Sequence, residues 1–401
     1  MWSVTQSACA GCTRQRRGNW SLSKKSEVSE RATCLDLHQL RAKPELSEHE
    51  VSRPDNFLVE CVGPLLRLRR LSSPTGTGQR RAAANTLALD YPRTLLEVIV
   101  ASDCSTDRTD EIARAFASRG VRLHRQPDRL GKTAAQNAAT ALARGEIILF
   151  SDATSLYQAD VVRAIMPSFA DPAVGCVAGR LVYVDPSGSR VGQGARSYWS
   201  YETFLKQHES NACSLIGASG CLYAVRRSAY VPLYHESCSD FIIATKMVEQ
   251  GLRAVYEPAA VCTEETNRRA GSELKMRVRV IAQTFTDLWR HRGMLNPVRS
   301  GFYAVQLLSH KVMRYLVPFF LLGIFAASAA LARGNLIFEI LFVAQLGCYV
   351  CAALASLLER IGIRSHLLVF PQYFVLANLA SLIALYKFIR GERYAHWEPI
   401  R

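Results

Sequence analysis

Acid is what this chain is short of: 49 Lys and Arg face only 34 Asp and Glu, a formal charge of +15 over 401 residues. Nothing in the first 80 residues joins a positively charged start to an apolar run, so the expectation is neither a cleaved signal peptide nor an N-terminal membrane span. The 12 cysteines include two close pairs, Cys9 with Cys12 and Cys348 with Cys351, but neither pair has a second one nearby. A zinc cluster is therefore not expected, and the thiols read as reduced core residues. A nucleic-acid patch of basic residues interleaved with stacking aromatics is the weaker reading of the basic excess. Ten of the basic residues fall between Arg268 and Arg314, just ahead of an apolar run, as on the cytoplasmic flank of a membrane span.

What is present divides the chain. Residues 1–84 carry 14 basic and 8 acidic side chains without sustained periodicity, and are expected to be disordered or atypical. Three apolar runs close the sequence, at about 315–332, 336–358 and 367–389, each near the roughly 20 residues that cross a bilayer as a helix. Before them Phe302, Val305, Leu308 and Val312 share one side of residues 300–314, which suggests an interfacial amphipathic helix.

Between these regions strand-like and helix-like segments alternate. "LLEVIV", "VRLH" and "EIILF" read as strands, "DRTDEIARAFASRG" and "GKTAAQNAATALARG" as helices. This alternation predicts an α/β domain over residues 85–299, with a largely parallel sheet covered on both faces. Ligand sites of such sheets lie at the carboxyl ends of the strands. Two strands end alike there, "VIVASDCS" on Asp103 and "IILFSDAT" on Asp152. Helix capping would also explain acids at such positions, and is preferred for Asp107. Asp103 and Asp152 directly follow buried strands, and together suit a cation and a nucleotide.

Read in order, "LALDYPRTLLEVIVASDCSTDRTDEI", "RLGKTAAQNAA", "ILFSDATSLY", "LIGASGCLYAVRR", "SDFIIATKMVEQGLRAVYEPAA" and "SHKVMRYLVP" resemble the processive family 2 glycosyltransferases related to cellulose, chitin and hyaluronan synthases. The resemblance implies an A-type glycosyltransferase fold (a Rossmann-like nucleotide-diphospho-sugar transferase) followed by C-terminal transmembrane helices. It further implies a multi-pass plasma-membrane protein with a cytoplasmic catalytic domain. The partners would be a nucleotide-sugar donor, a glycan or lipid acceptor and the bilayer, with no nucleic acid.

Residue by residue, the resemblance makes Asp103, Lys132 and Arg314 nucleotide-binding and Asp240 the catalytic base. Gly217, Ser219 and Tyr315 become acceptor-binding, while Asp152 and Thr154 occupy the motif that holds Mg2+ or Mn2+. A hard cation suits oxygen ligands and meets the charge that develops on a leaving nucleoside diphosphate. Thr154 stands where the family has its second acid, and offers a neutral hydroxyl. Lys311 and Tyr315 also depart from the Gln-x-x-Arg-Trp pattern. The family's first strand is expected about 25 residues before "LALDYP", where "LLRLRRLSSPTGTGQRRAAAN" holds neither strand nor acid. It therefore reads as missing: either Phe57–Val62 loosely takes its place, or, as the preferred expectation, residues 1–84 do not belong to the working protein. These departures motivate a second reading, a catalytically impaired transferase-like binding or assembly protein. A transporter is disfavoured, because three spans with one lone acid leave little for a midplane site.

Overall fold

The computed structural model describes residues 57–62, 77–184, 190–265, 270–360 and 368–394. Eight strands form one sheet: β1 (Phe57–Val62), β2 (Leu96–Ser102), β3 (Val121–Arg125), β4 (Ile147–Asp152), β5 (Leu156–Tyr157), β6 (Val174–Val184), β7 (Tyr223–Arg226) and β8 (Arg253–Glu265). Their order is β3-β2-β1-β4-β7-β6-β8-β5. The β3-β2-β1-β4 half is parallel, as the alternating pattern predicts. The other half is mixed, because β7 runs antiparallel between β4 and β6, and β5 antiparallel to β8.

The first strand is not missing. Phe57–Val62 lies between β2 and β4 and pairs in parallel with both, Val59 opposite Val98 on one side and Leu149 on the other. The expected boundary at residue 84 moves accordingly, since β1 and helix α1 (Thr77–Leu87) precede it. The expectation of disorder for the rest of that segment lies outside the described residues.

Strand β4 shows why the sheet is buried on both faces. Successive side chains point to opposite sides, so Ile148 and Phe150 enter one apolar cluster while Ile147 and Leu149 enter the other. Phe150 stacks on Tyr223 at 4.8 Å between ring centroids. Helix α2 (Thr109–Ala115) is shorter than its sequence pattern and ends through a 3-10 turn at Gly120, whose φ of 89° suits a residue without Cβ. Asp107, one residue ahead of the N-cap position that Arg108 occupies, accepts a hydrogen bond from the Thr109 N–H.

Helix α3 (Lys132–Leu142) packs small Ala135 and Ala139 against the sheet. Helices α4 (Val161–Ile165), α5 (Arg190–Ala212), α6 (Ser239–Glu249) and α7 (Ala270–Arg290) complete the α/β domain. Seven cysteines with described side chains are free, several of them buried as expected, whereas Cys213 is disulfide-bonded, against the all-reduced expectation.

Short α8 (Pro297–Ser300) precedes α9 (Phe302–Leu307), which passes through a π-helical stretch, Leu308–Met313, into α10 (Arg314–Leu331). The expected interfacial helix is therefore not a separate element but the first part of a continuous Phe302–Leu331 helix. Its Tyr303, Ala304 and Leu307 are buried, while Phe302 and Val305 stay exposed. Helices α11 (Leu336–Arg360) and α12 (Val369–Ile389) follow. Three helices, Phe302–Leu331, Leu336–Glu359 and Val369–Ile389, are long and apolar enough to cross a membrane.

Candidate active site

Strands β2 and β4 deliver Asp103 and Asp152 to one edge of the sheet, where they line a cavity of about 930 Å3 together with Lys132, Asp240 and Glu264. Asp103, only 5% exposed, accepts hydrogen bonds from Gln126 Nε2 (3.0 Å) and from the N–H groups of Leu130 (2.8 Å) and Gly131 (3.0 Å). It thereby fixes the loop that opens into α3 and sets Lys132 at that helix's first position. The next residue, Cys104, has a φ of 51°, a left-handed conformation uncommon for any residue but glycine.

Three charged groups converge on Gly220. A Cβ there would lie 3.1 Å from Asp240 Oδ2, 3.2 Å from Lys132 Nζ and 3.4 Å from Asp152 Oδ2. Lys132 Nζ is ion-paired with Asp152 Oδ1. Burial alone would lower the proton affinity of Lys132, but the charges of Asp152 and Asp240 outweigh it and hold the ammonium above the ordinary lysine range. Burial pushes the Asp152 carboxyl up, Lys132 opposes this, and Asp240 adds to it. Asp240 stands in the first turn of α6, its Oδ1 accepting from the Cys238 thiol (3.0 Å) and the Phe241 N–H (3.1 Å), while Oδ2 is the oxygen nearest Gly220.

A carboxylate from another strand stands beside Thr154. Pairing of β5 with β8 sets Leu156 opposite Thr263, which brings Glu264 beside the Asp152-Ala153-Thr154-Ser155 turn. Ser155 Oγ donates to Glu264 Oε1 at 2.6 Å, and Thr154 Oγ1 lies 3.5 Å from the same oxygen. Burial, with Asp152 nearby, pushes the Glu264 carboxyl up to about 7. Among the described residues no three His, Cys, Asp or Glu side chains are placed to hold a metal ion together. The donor set nonetheless fits Mg2+ or Mn2+, since such ions are often held by one or two carboxylates with phosphate oxygens as further ligands. Asp152 and Glu264 are the carboxylates in reach, and Thr154 a hydroxyl.

The remaining expected residues divide. Gly217 and Tyr315 line the cavity, Tyr315 packing on Phe285 at 5.1 Å. Ser219 is buried behind it, where its Oγ accepts from Lys206 Nζ at 2.5 Å. Its small size and polarity anchor the loop rather than face a ligand. Arg314 reaches the cavity wall and pairs there with Glu202. Burial opposes ionisation of Glu202, but His310, with Nε2 3.6 Å from its Oε2, and the charges of Arg314 and Lys311 hold its carboxyl far below the usual range. Lys311, the departure from the family's glutamine, places Nζ 5.4 Å from the Phe241 ring centroid.

Sequence reading missed Gly220, Glu264, Glu202 and Arg279, all of which line the cavity. A signal existed for Glu264, which ends strand β8 much as Asp103 and Asp152 follow or end theirs. Glu202 and Arg279 lie within the long helices α5 and α7, and only the tertiary fold turns them inward.

Residues 81–231 match the model for glycosyl transferase family 2. An N-acetylglucosaminyltransferase of Rhizobium meliloti (strain 1021) is 28% identical over 244 residues, 57% of this chain and 57% of the relative. A poly-beta-1,6-N-acetyl-D-glucosamine synthase of Staphylococcus aureus is 26% identical over 203 residues, covering 49% and 48%. For the first curated relatives the matches span only 39% to 57% of their own length. Among solved structures, a mannosyltransferase from Pyrobaculum calidifontis in complex with GDP-Man and Mn2+ superposes with a TM-score of 0.61 at 22% identity, over 90% of this chain and 95% of that one. That likeness establishes the glycosyltransferase A-type fold.

Proposed function

Because residues 81–231 are a family 2 glycosyltransferase domain, we propose that this glycosyltransferase moves a sugar from a UDP-sugar to a glycan or lipid acceptor, with inversion, at the cytoplasmic face of the plasma membrane. The observation that carries the reading is the meeting of Asp240 Oδ2, Lys132 Nζ and Asp152 Oδ2 within 3.4 Å of one point in a cavity. Transfer needs a base for the acceptor hydroxyl and cations for the departing diphosphate, and these are the groups gathered there. The names of the curated relatives make N-acetylglucosamine the first sugar to test.

In this reading Asp240 takes the proton of the acceptor hydroxyl as its oxygen attacks the anomeric carbon. Being on α6, this base is separate from the β4 turn and stays free for the acceptor. Asp103 holds the loop that lines the nucleotide cleft and keeps an oxygen edge toward the base. Lys132, Arg279 and Arg314 offer positive charge to the diphosphate. Asp152, Glu264 and Thr154 would hold Mg2+ or Mn2+, whose chemistry is to offset charge on the leaving diphosphate. The absence of a side chain at Gly220 lets Asp240, Lys132 and Asp152 approach one point.

The test is incubation of membranes carrying the Asp240→Asn variant with labelled UDP-sugars. Transfer is expected to fall by about 100-fold or more, the usual scale for general-base loss, while UDP binding persists. Unchanged transfer would remove Asp240 from the base role.

A further inference from the structure

Helix α12 has the length and hydropathy of a membrane span, yet its contacts hold both its ends against α7. Near its start the Tyr373 hydroxyl receives a hydrogen bond from Arg277 and lies 3.4 Å from Glu273 Oε1, with the Arg277 guanidinium 4.9 Å from the tyrosine ring centroid. Near its end the Phe388 ring lies 5.8 Å from that of Phe285. Just beyond, the carbonyl of Tyr394 accepts a hydrogen bond from Gln283 Nε2 at 2.8 Å. The two helices therefore run side by side.

Helix α7 is no membrane helix. It carries Glu273, Lys275, Arg277, Arg279, Asp287 and Arg290 within 21 residues, and charges at such density are not accommodated in hydrocarbon. Asp287 also binds it to the α/β domain, accepting from Ser237 Oγ (2.7 Å) and the Cys238 N–H (2.9 Å). A helix laid along α7 from end to end stays at the same level.

Helix α10 supplies an independent reference point. Phe285, the partner of Phe388, also packs on Tyr315, the second residue of α10. From Tyr315 to Leu331 that helix advances about 24 Å. The end of α12 thus returns to the place where α10 begins. Helices α10 and α11, by contrast, pair with each other beyond this point: Gln345 Nε2 donates to the Leu321 carbonyl (2.8 Å), and Phe325 packs on Phe342 and Tyr349.

We propose that α12 is an interfacial helix lying along α7 on the membrane surface, and that only α10 and α11 cross the bilayer. The C-terminus then lies on the same side as the catalytic domain. The outward residues Phe370, Tyr386 and Ile389, exposed by 76%, 58% and 72%, rest on the boundary between headgroups and acyl chains. Lys387, Arg390 and Arg393 beside them suit anionic lipid. Two crossings also remove the conflict between the basic C-terminal segment and a third span that would carry it outside. The inference rests only on the membrane attachment contained in the proposed function, not on donor or acceptor.

The experiment places an epitope tag either after Asn335, between α10 and α11, or at the C-terminus of the full-length chain. Antibody labelling is then compared in intact and permeabilised spheroplasts. The two tags are expected on opposite sides of the membrane, the Asn335 tag labelled at least tenfold more in intact cells. Tags on the same side, inner or outer, overturn the proposal. Sugar transfer assayed on the same membranes reports separately on the glycosyltransferase reading, so the failure of one is distinguishable from the failure of the other.

Discussion

At the scale of single residues, Thr154 offers no carboxylate, but one stands beside it across the sheet. Glu264 approaches from 110 positions away, and β-sheet register, not chain proximity, brings it there. Glu264→Gln is expected to weaken Mn2+ binding in the presence of UDP by about tenfold or more, and adding Thr154→Asp to recover most of the loss. Titration followed by electron paramagnetic resonance checks both; equal affinity in all forms would exclude the exchange of roles. Lys132 pairs with Asp152, so a cation held by that carboxylate would share it with an ammonium. A second residue-scale test concerns Asp287, whose carboxyl burial pushes up to about 7, against the lowering hydrogen bonds from Ser237 and Cys238. Its folded-state value is raised, so its contribution to stability is complete below the unfolded value and is lost as pH rises through 7. Each tenfold difference in proton affinity is worth about 1.4 kcal/mol. Wild-type protein should therefore lose Tm between pH 5 and pH 8, and Asp287→Asn should flatten that slope; parallel melting profiles would contradict it.

At the scale of elements, β2, β3, β4 and α3 were legible because each is a local pattern: an apolar run, an alanine-rich face, a strand ending near an acid. Strand β1 was harder to accept. "FLVECV" is a short apolar run between Pro54-Asp55-Asn56 and Gly63-Pro64, an adequate strand signal, but the acid-bearing motif expected after it is absent. What the pattern alone does not convey is that this strand is paired on both sides. Proline at its centre would remove a backbone donor and impose its own φ, so Val59→Pro should cost on the order of 3 kcal/mol or more. Limited proteolysis is expected to degrade the variant while leaving wild type intact, and equal resistance would show that the sheet tolerates losing this strand. The interfacial helix was legible as an amphipathic pattern, but its continuity into α10 was not. The π-helical stretch carries His310 and Lys311 without breaking the axis, and hydropathy is blind to it.

At the scale of the whole molecule, three apolar helices were visible in the sequence, but their placement was not. Length and hydropathy are the same for a helix that crosses and one that lies flat; the difference is in partners such as Phe285, Gln283 and Arg277, supplied by a remote, charged helix. The cavity wall formed in part by Tyr373, Phe374, Ala377, Asn378 and Ser381 of α12 gives this placement a further consequence. If α12 lies on the bilayer as proposed, this wall of the cavity would lean on lipid, and its volume would depend on the lateral pressure and curvature of the surrounding leaflet. On that placement catalysis would be mechanically coupled to the bilayer, a change in lipid packing becoming a change in the room available inside the cavity.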